Sequence, residues 1–133
     1  MFPWPSSLRQ LEAGIYLDQP IVSVKWPQSL EILIFHGIFN QPVKGISWPR
    51  GLRELDLGLT FNQPIEDITW PTSLRILRFG PCFNQPIARV EWPPIAELEL
   101  EVDFDQPITQ VGSPESLQLL ALGDAFNHEI EHA

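Results

Sequence analysis

Trp4, Trp26, Trp48, Trp70 and Trp92 stand 22 residues apart, and each is followed by Pro. A chain that carries one dipeptide at one spacing five times is an internal repeat, and the fold must be built from copies of a single unit. The same spacing carries Gln-Pro at 19-20, 41-42, 63-64 and 85-86, and then, after one deleted residue, at 106-107. A sixth copy puts Ser113-Pro114 in the Trp-Pro slot. It also puts Phe126-Asn127-His128-Glu129-Ile130 where an earlier copy has Phe61-Asn62-Gln63-Pro64-Ile65. The 133 residues thus read as a single repeat domain, 1-133, with coils at about 4-25, 26-47, 48-69, 70-91, 92-112 and 113-133.

A unit this short cannot bury its own apolar face and becomes stable only by stacking on its neighbours, which predicts a solenoid. In Leu52-Arg53-Glu54-Leu55-Asp56-Leu57-Gly58, Leu55 and Leu57 alternate with polar residues as a half-buried strand requires. Equivalent pairs are Leu11 and Ala13, Leu33 and Phe35, Leu77 and Phe79, Leu98 and Leu100, Leu120 and Leu122, so stacking aligns six strands in parallel. The return path runs through the turn Phe61-Asn62-Gln63-Pro64-Ile65, and then through Ile68-Thr69-Trp70, with Ile68 and Trp70 inward. Fourteen prolines interrupt the chain too evenly for a bundle of long helices. The expected fold is mainly β: a leucine-rich-repeat-like solenoid of six coils, with a parallel sheet on one face and short extended or turn segments on the other. Two structural ladders are expected. Asn40, Asn62, Asn84 and Asn127, with Asp18 and Asp105 as substitutes, would be buried and satisfy backbone groups at the corner; Trp4, Trp26, Trp48, Trp70 and Trp92 would stack as a spine.

Phe39-Asn40-Gln41-Pro42-Val43, Phe61-Asn62-Gln63-Pro64-Ile65 and Phe83-Asn84-Gln85-Pro86-Ile87, each preceded by a Pro-x-x-Leu-x-x-Leu-x-Leu/Phe strand, closely resemble the FNIP repeat, a 22-residue relative of the leucine-rich repeat. The resemblance extends over all six coils and departs at Leu17-Asp18, at Phe104-Asp105, at His128-Glu129 and at the missing Trp of coil six. It implies a curved solenoid. Such repeats sometimes accompany an F-box or a kinase domain, neither of which lies within these residues.

Charge narrows the partners. Residues 1-89 hold eight Lys and Arg against seven acids, while residues 90-133 hold ten acids and no Lys or Arg. That balance repels phosphate backbones, so nucleic acid is not an expected partner. Cys82 is the single cysteine, no apolar run reaches the length of a membrane span, and the first residues lack the pattern of a secretory leader. A soluble, cytoplasmic protein with no membrane partner and no cofactor is expected.

Catalytic signals do not survive their context. His128-Glu129-Ile130-Glu131-His132 spells H-E-x-x-H, which binds zinc when it lies on a helix, but His128-Glu129-Ile130 falls in register with the Gln-Pro-Ile turns of the other coils. Glu97, Glu99 and Glu101 alternate along one strand, where a solvated face explains them better than a glycosidase pair or a calcium site. Cys82 has no base placed to activate it. No catalytic residue and no metal site is assigned, and the chain is expected not to be an enzyme.

Outward positions of the strands remain: Gln10, Glu12, Gly14; Ile32, Ile34, His36; Glu54, Asp56, Gly58; Ile76, Arg78, Gly80; Glu97, Glu99, Glu101; Leu119, Ala121, Gly123. From these, Ile32, Ile34, His36, Glu54, Asp56, Ile76, Arg78, Glu97, Glu99 and Glu101 form the candidate binding strip of a protein-protein interaction module. Two alternatives stand beside it. One is a structural element stacking head to tail, since no capping segment flanks either outer coil; the other is a fragment of a longer repeat protein such as a ubiquitin-ligase substrate adaptor.

Overall fold

The computed structural model describes residues 3-108 and 115-130. Ser113-Pro114, Glu131 and His132 lie outside the described residues. Six strands, β1 (Gln10–Ala13), β2 (Ile32–Phe35), β3 (Glu54–Asp56), β4 (Ile76–Phe79), β5 (Glu97–Leu100) and β6 (Leu119–Leu122), form one sheet in chain order. All neighbours pair in parallel, and the register follows the repeat: Leu33 faces Leu55, Leu55 faces Leu77, Leu77 faces Leu98. The described residues contain no helix, and the chain winds as an all-β solenoid.

Alternation decides which side chains build the core. On β2, β4 and β5 every second residue is buried, and behind the sheet lie Leu30, Leu52, Leu74 and Ile95 together with Phe39, Phe61, Phe83 and Phe104, all fully buried. Ahead of each strand the backbone closes through a four-residue turn, as where Leu30 N–H donates to Pro27 O and Leu74 N–H to Pro71 O. Coil five is one residue short. There Ile95 N–H reaches Pro93 O at 2.7 Å, a tighter closure that returns Ile95 to the slot of Leu74 and leaves the register of β5 intact.

The aromatic spine is not where the tryptophans put it. Trp26, Trp48 and Trp70 are buried, but the rings pair as Trp4 on Trp26 at 6.4 Å and Trp48 on Trp70 at 6.0 Å instead of forming one run. The indole N–H groups of Trp26, Trp48 and Trp70 are buried without an acceptor, each a cost of about 1–3 kcal/mol set against the ring's burial. The continuous column is phenylalanine: Phe39, Phe61, Phe83, Phe104 and Phe126 stack at 6.1 to 6.2 Å with planes within 10° of parallel. This spacing exceeds the roughly 4.7–4.9 Å between hydrogen-bonded strands. Coils related by translation alone would hold every equivalent atom at one distance, so the coils fan apart behind the sheet and the sheet lines the inner side of the curve.

The asparagine ladder forms, but on the surface. Asn62 N–H donates to Asn40 Oδ1 and Asn84 N–H to Asn62 Oδ1, both at 2.9 Å, and Gln63 and Gln85 add amide donors to the same acceptors at 3.0 and 3.1 Å. Asn62, Asn84 and Asn127 are exposed and Asn40 half-buried, which corrects the expectation of a buried ladder: the turn directs the amide along the stack, where the next backbone N–H needs it, and not into the core. Asp18 and Asp105 accept in the same way from Asn40 and Asn127. Two glycines of the outward set are corrected as well. Gly58 (φ 86°) and Gly80 are buried where successive coils touch, and a Cβ on Gly80 would run into Gly58 O, so these positions serve close approach and not recognition.

Phe61→Ala is expected to cost about 3–5 kcal/mol, since it removes a ring stacked on both sides, read as the shift of the urea midpoint followed by tryptophan fluorescence. The ladder yields a pH test. The N–H of Asn40 and then the Gln41 amide hold the Asp18 carboxyl below its ordinary range. Its contribution is therefore present above the unfolded value and disappears as pH falls through the depressed one. Asp18→Asn keeps the acceptor and is expected to remove that share of the acid sensitivity; equal acid slopes for the two proteins would contradict the assignment.

Candidate functional site

Strand alternation places Ile32, Ile34, Glu54, Asp56, Ile76, Arg78, Glu97 and Glu99 on the outward side of the sheet, all half-buried. His36 and Glu101 follow β2 and β5 directly and are exposed. All ten residues of the candidate strip thus lie along one face, but they do not form one uniform strip. Ile32 and Ile34 sit together on β2, β3 interposes Glu54 and Asp56, and Ile76 lies on the far side of Glu54.

Arg78 organises the middle. Its guanidinium holds Glu54 at 2.7 Å, Glu99 at 2.5 Å and Glu97 at 3.8 Å. Partial burial works to lower the Arg78 pKa, but the hydrogen bond and charge of Glu54, followed by Glu99, outweigh it and raise it. One cation therefore serves acids on both neighbouring strands. Glu54 is opposite Ile76 in the register, so Arg78 reaches it along the diagonal, and His36 reaches Glu12 by the same diagonal at 2.8 Å. The His36 hydrogen bond, with help from Gln10, holds Glu12 low.

Two carboxyls behave differently. Burial raises Asp56, against the N–H of Gly58 and the charges of Arg78 and His36; burial, then Glu99 and Asp56, raises Glu101. Both raised acids border a hollow of about 200 Å³ at the C-terminal ends of the strands, with His36, Leu59, Gly37, Gly58 and Gly80 among its other walls. A second hollow of about 140 Å³ opens at the opposite ends between Ile32, Glu54 and Ile76, edged by Glu31, Arg53 and Arg75. These edge residues were not singled out from the sequence, although their position one residue before each strand in successive coils is a signal that could have found them.

The chemistry set aside from the sequence is placed as follows. His128 Nε2 lies 3.0 Å from Asp105 O and 3.1 Å from Asp105 Oδ1, residues 127-130 form no helix, and the rest of H-E-x-x-H lies outside the described residues. Cys82 is half-buried. Among the described residues no group of His, Cys, Asp and Glu is disposed to hold a metal ion, and no helix is long and apolar enough to cross a membrane.

Arg78→Met is expected to lower stability near neutral pH by about 1 kcal/mol, a small figure because the cluster is partly solvated. It leaves Glu54, Glu97 and Glu99 repelling one another. Salt screens that repulsion, along with the attraction Arg78 supplies, so the deficit should shrink as ionic strength rises. Urea unfolding of both proteins at low and high salt checks this; a salt-independent deficit would leave only lost packing.

The FNIP Repeat family model matches residues 16–60 and 61–90 of this chain. These segments run from the first coil through the fourth and include β2, β3 and β4. No curated protein matches it.

Proposed function

Since the chain belongs to the FNIP repeat family, we propose that it is a non-catalytic protein-interaction module that holds a partner on the outward, concave face of its sheet. The observation that carries this reading is the composition of β2. The strand reads Ile-Leu-Ile-Phe, with Leu33 and Phe35 in the core and Ile32 and Ile34 on the outer face, a pattern typical of strands covered on both sides. A strand washed by solvent on one side carries polar residues there, as β3 does with Glu54 and Asp56. The curve of the stack favours the same face, because a concave sheet brings side chains of several coils within reach of one partner segment. Ile32 and Ile34 would supply apolar contact, and the carboxylates and Arg78 would set orientation and exclude partners of the wrong charge.

Arg78 is a poor probe of binding because it also restrains three carboxylates of its own chain. Paired Ile32→Asp and Ile34→Asp substitutions test the face directly. Affinity capture from the native cell with quantitative mass spectrometry should identify a partner whose recovery falls more than about tenfold with this variant, about the effect of losing one buried aliphatic contact. Recovery should be unchanged with Lys25→Glu, an exposed site off the sheet. Equal recovery by both variants would overturn the assignment to this face.

A further inference from the structure

The polar ladders between coils have a direction. At each described step the later coil donates and the earlier one accepts: Asn40 N–H to Asp18 Oδ1, Asn62 to Asn40, Asn84 to Asn62, Asp105 to Asn84 and Asn127 to Asp105. A second ladder runs the same way, with the hydroxyls of Ser29, Ser73 and Ser116 donating to the carbonyls of Leu8, Leu52 and Ile95. The two outer faces of the described stack are therefore unlike. Coil one presents donors: Asp18 N–H, the Gln19 amide and the Ser7 hydroxyl stand in the slots that donate elsewhere and have no acceptor among the described residues. Coil six presents acceptors, namely Asn127 Oδ1 and the Leu117 carbonyl, in the slots that accept elsewhere.

Apolar surface follows the same division. Leu120 occupies the slot of Leu33, Leu55 and Leu77, each 0% exposed, yet it is 41% exposed because no coil lies beyond it in this stack. Phe126 ends the described phenylalanine column, stacked on Phe104 on one side and touched by the tilted His128 ring at 5.6 Å. At the other end, Ala13 and Leu17 stand where coil two has Phe35 and Phe39, and they open an almost wholly apolar hollow of about 350 Å³ together with Leu11, Val24 and the rings of Trp4 and Trp26.

We propose that coil six of one copy of this chain stacks on coil one of a second copy, so that the solenoid continues head to tail across the junction. Asp18 N–H and the Gln19 amide of the second copy then meet Asn127 of the first, and the Ser7 hydroxyl meets the Leu117 carbonyl. Strand β1 joins β6 in parallel, with Leu11 opposite Leu120. The ring of Phe126 and the side chain of Leu122 cover the hollow left by Ala13 and Leu17. Charge selects this polarity: two C-terminal portions facing each other would oppose ten acids to ten acids with no Lys or Arg, whereas head-to-tail contact sets that portion against one in which eight basic residues balance seven acids. The contact is heterologous, joins unlike surfaces and leaves each copy with one free end of each kind. It is independent of the partner face on the sheet.

Sedimentation of the 133-residue protein from low to several hundred micromolar tests the proposal, and its mass is expected to rise beyond the 15.2 kDa monomer with concentration. Leu11→Lys should block one end and Leu120→Lys the other, so each variant alone stays monomeric while an equal mixture gives one-to-one dimers and nothing larger. Circular dichroism verifies that the variants keep their sheet. Gln19→Glu, at an exposed site where folding is not at risk, should weaken association of the unblocked protein at least tenfold by setting acceptor against acceptor. A strict monomer at every concentration overturns the proposal and assigns the end faces to some other cover, such as further coils of a longer chain. Association that survives either lysine variant alone, or a mixture that does not dimerise while the unmodified protein associates, overturns the head-to-tail geometry. Neither result bears on the isoleucine face.

Discussion

Each coil holds half of a set of contacts and depends on the next coil for the other half. The ring of Phe61 lies between Phe39 and Phe83, Asn62 donates its backbone N–H to Asn40 and accepts from Asn84 on its side-chain oxygen, and Leu55 is sealed by Leu33 and Leu77. No single coil could form any of these, and nothing further along the chain contributes to them. Stability is consequently a sum over junctions, and the repeat length must be kept because every junction uses the same register. Coil five shows how strictly: one residue is missing, and the Pro93 to Ile95 closure absorbs the loss before β5 begins.

This dependence explains which parts of the fold were legible in the sequence. The Trp-Pro and Gln-Pro spacings together fixed which residues of successive coils are neighbours, and the inward and outward sets of β2 through β5 follow from them without any structure. What was not legible concerns direction within a coil. The tryptophans drew attention by their rarity, yet the uninterrupted column belongs to phenylalanine, because the ring after the strand stacks from coil to coil from the second onward, while among the described residues the indoles stack on one another in two separate pairs. The exposed course of the asparagine ladder was missed for a similar reason. A residue type tells what it can bond, and the turn tells where it points.

The candidate face is legible to a lesser degree. Its membership could be read from alternation, but its electrostatic pattern could not, because Arg78 to Glu54 and His36 to Glu12 are diagonal contacts, two residues off the register that the repeat reveals. The burial that raises Asp56 is likewise a property of the curved sheet and its glycine-lined ends, which no window of sequence contains. In physical terms, period fixes partners, while side-chain length and curvature fix encounters between non-partners.

The direction of the ladders has a mechanical corollary. The strand and asparagine bonds that join one coil to the next run along the stacking axis, so tension applied between the two ends bears on the junctions in series, and the weakest opens first without help from the rest. Such a molecule should lengthen under load one coil at a time, at forces far below those needed to shear strands past one another, and should close again in reverse order when the load is removed.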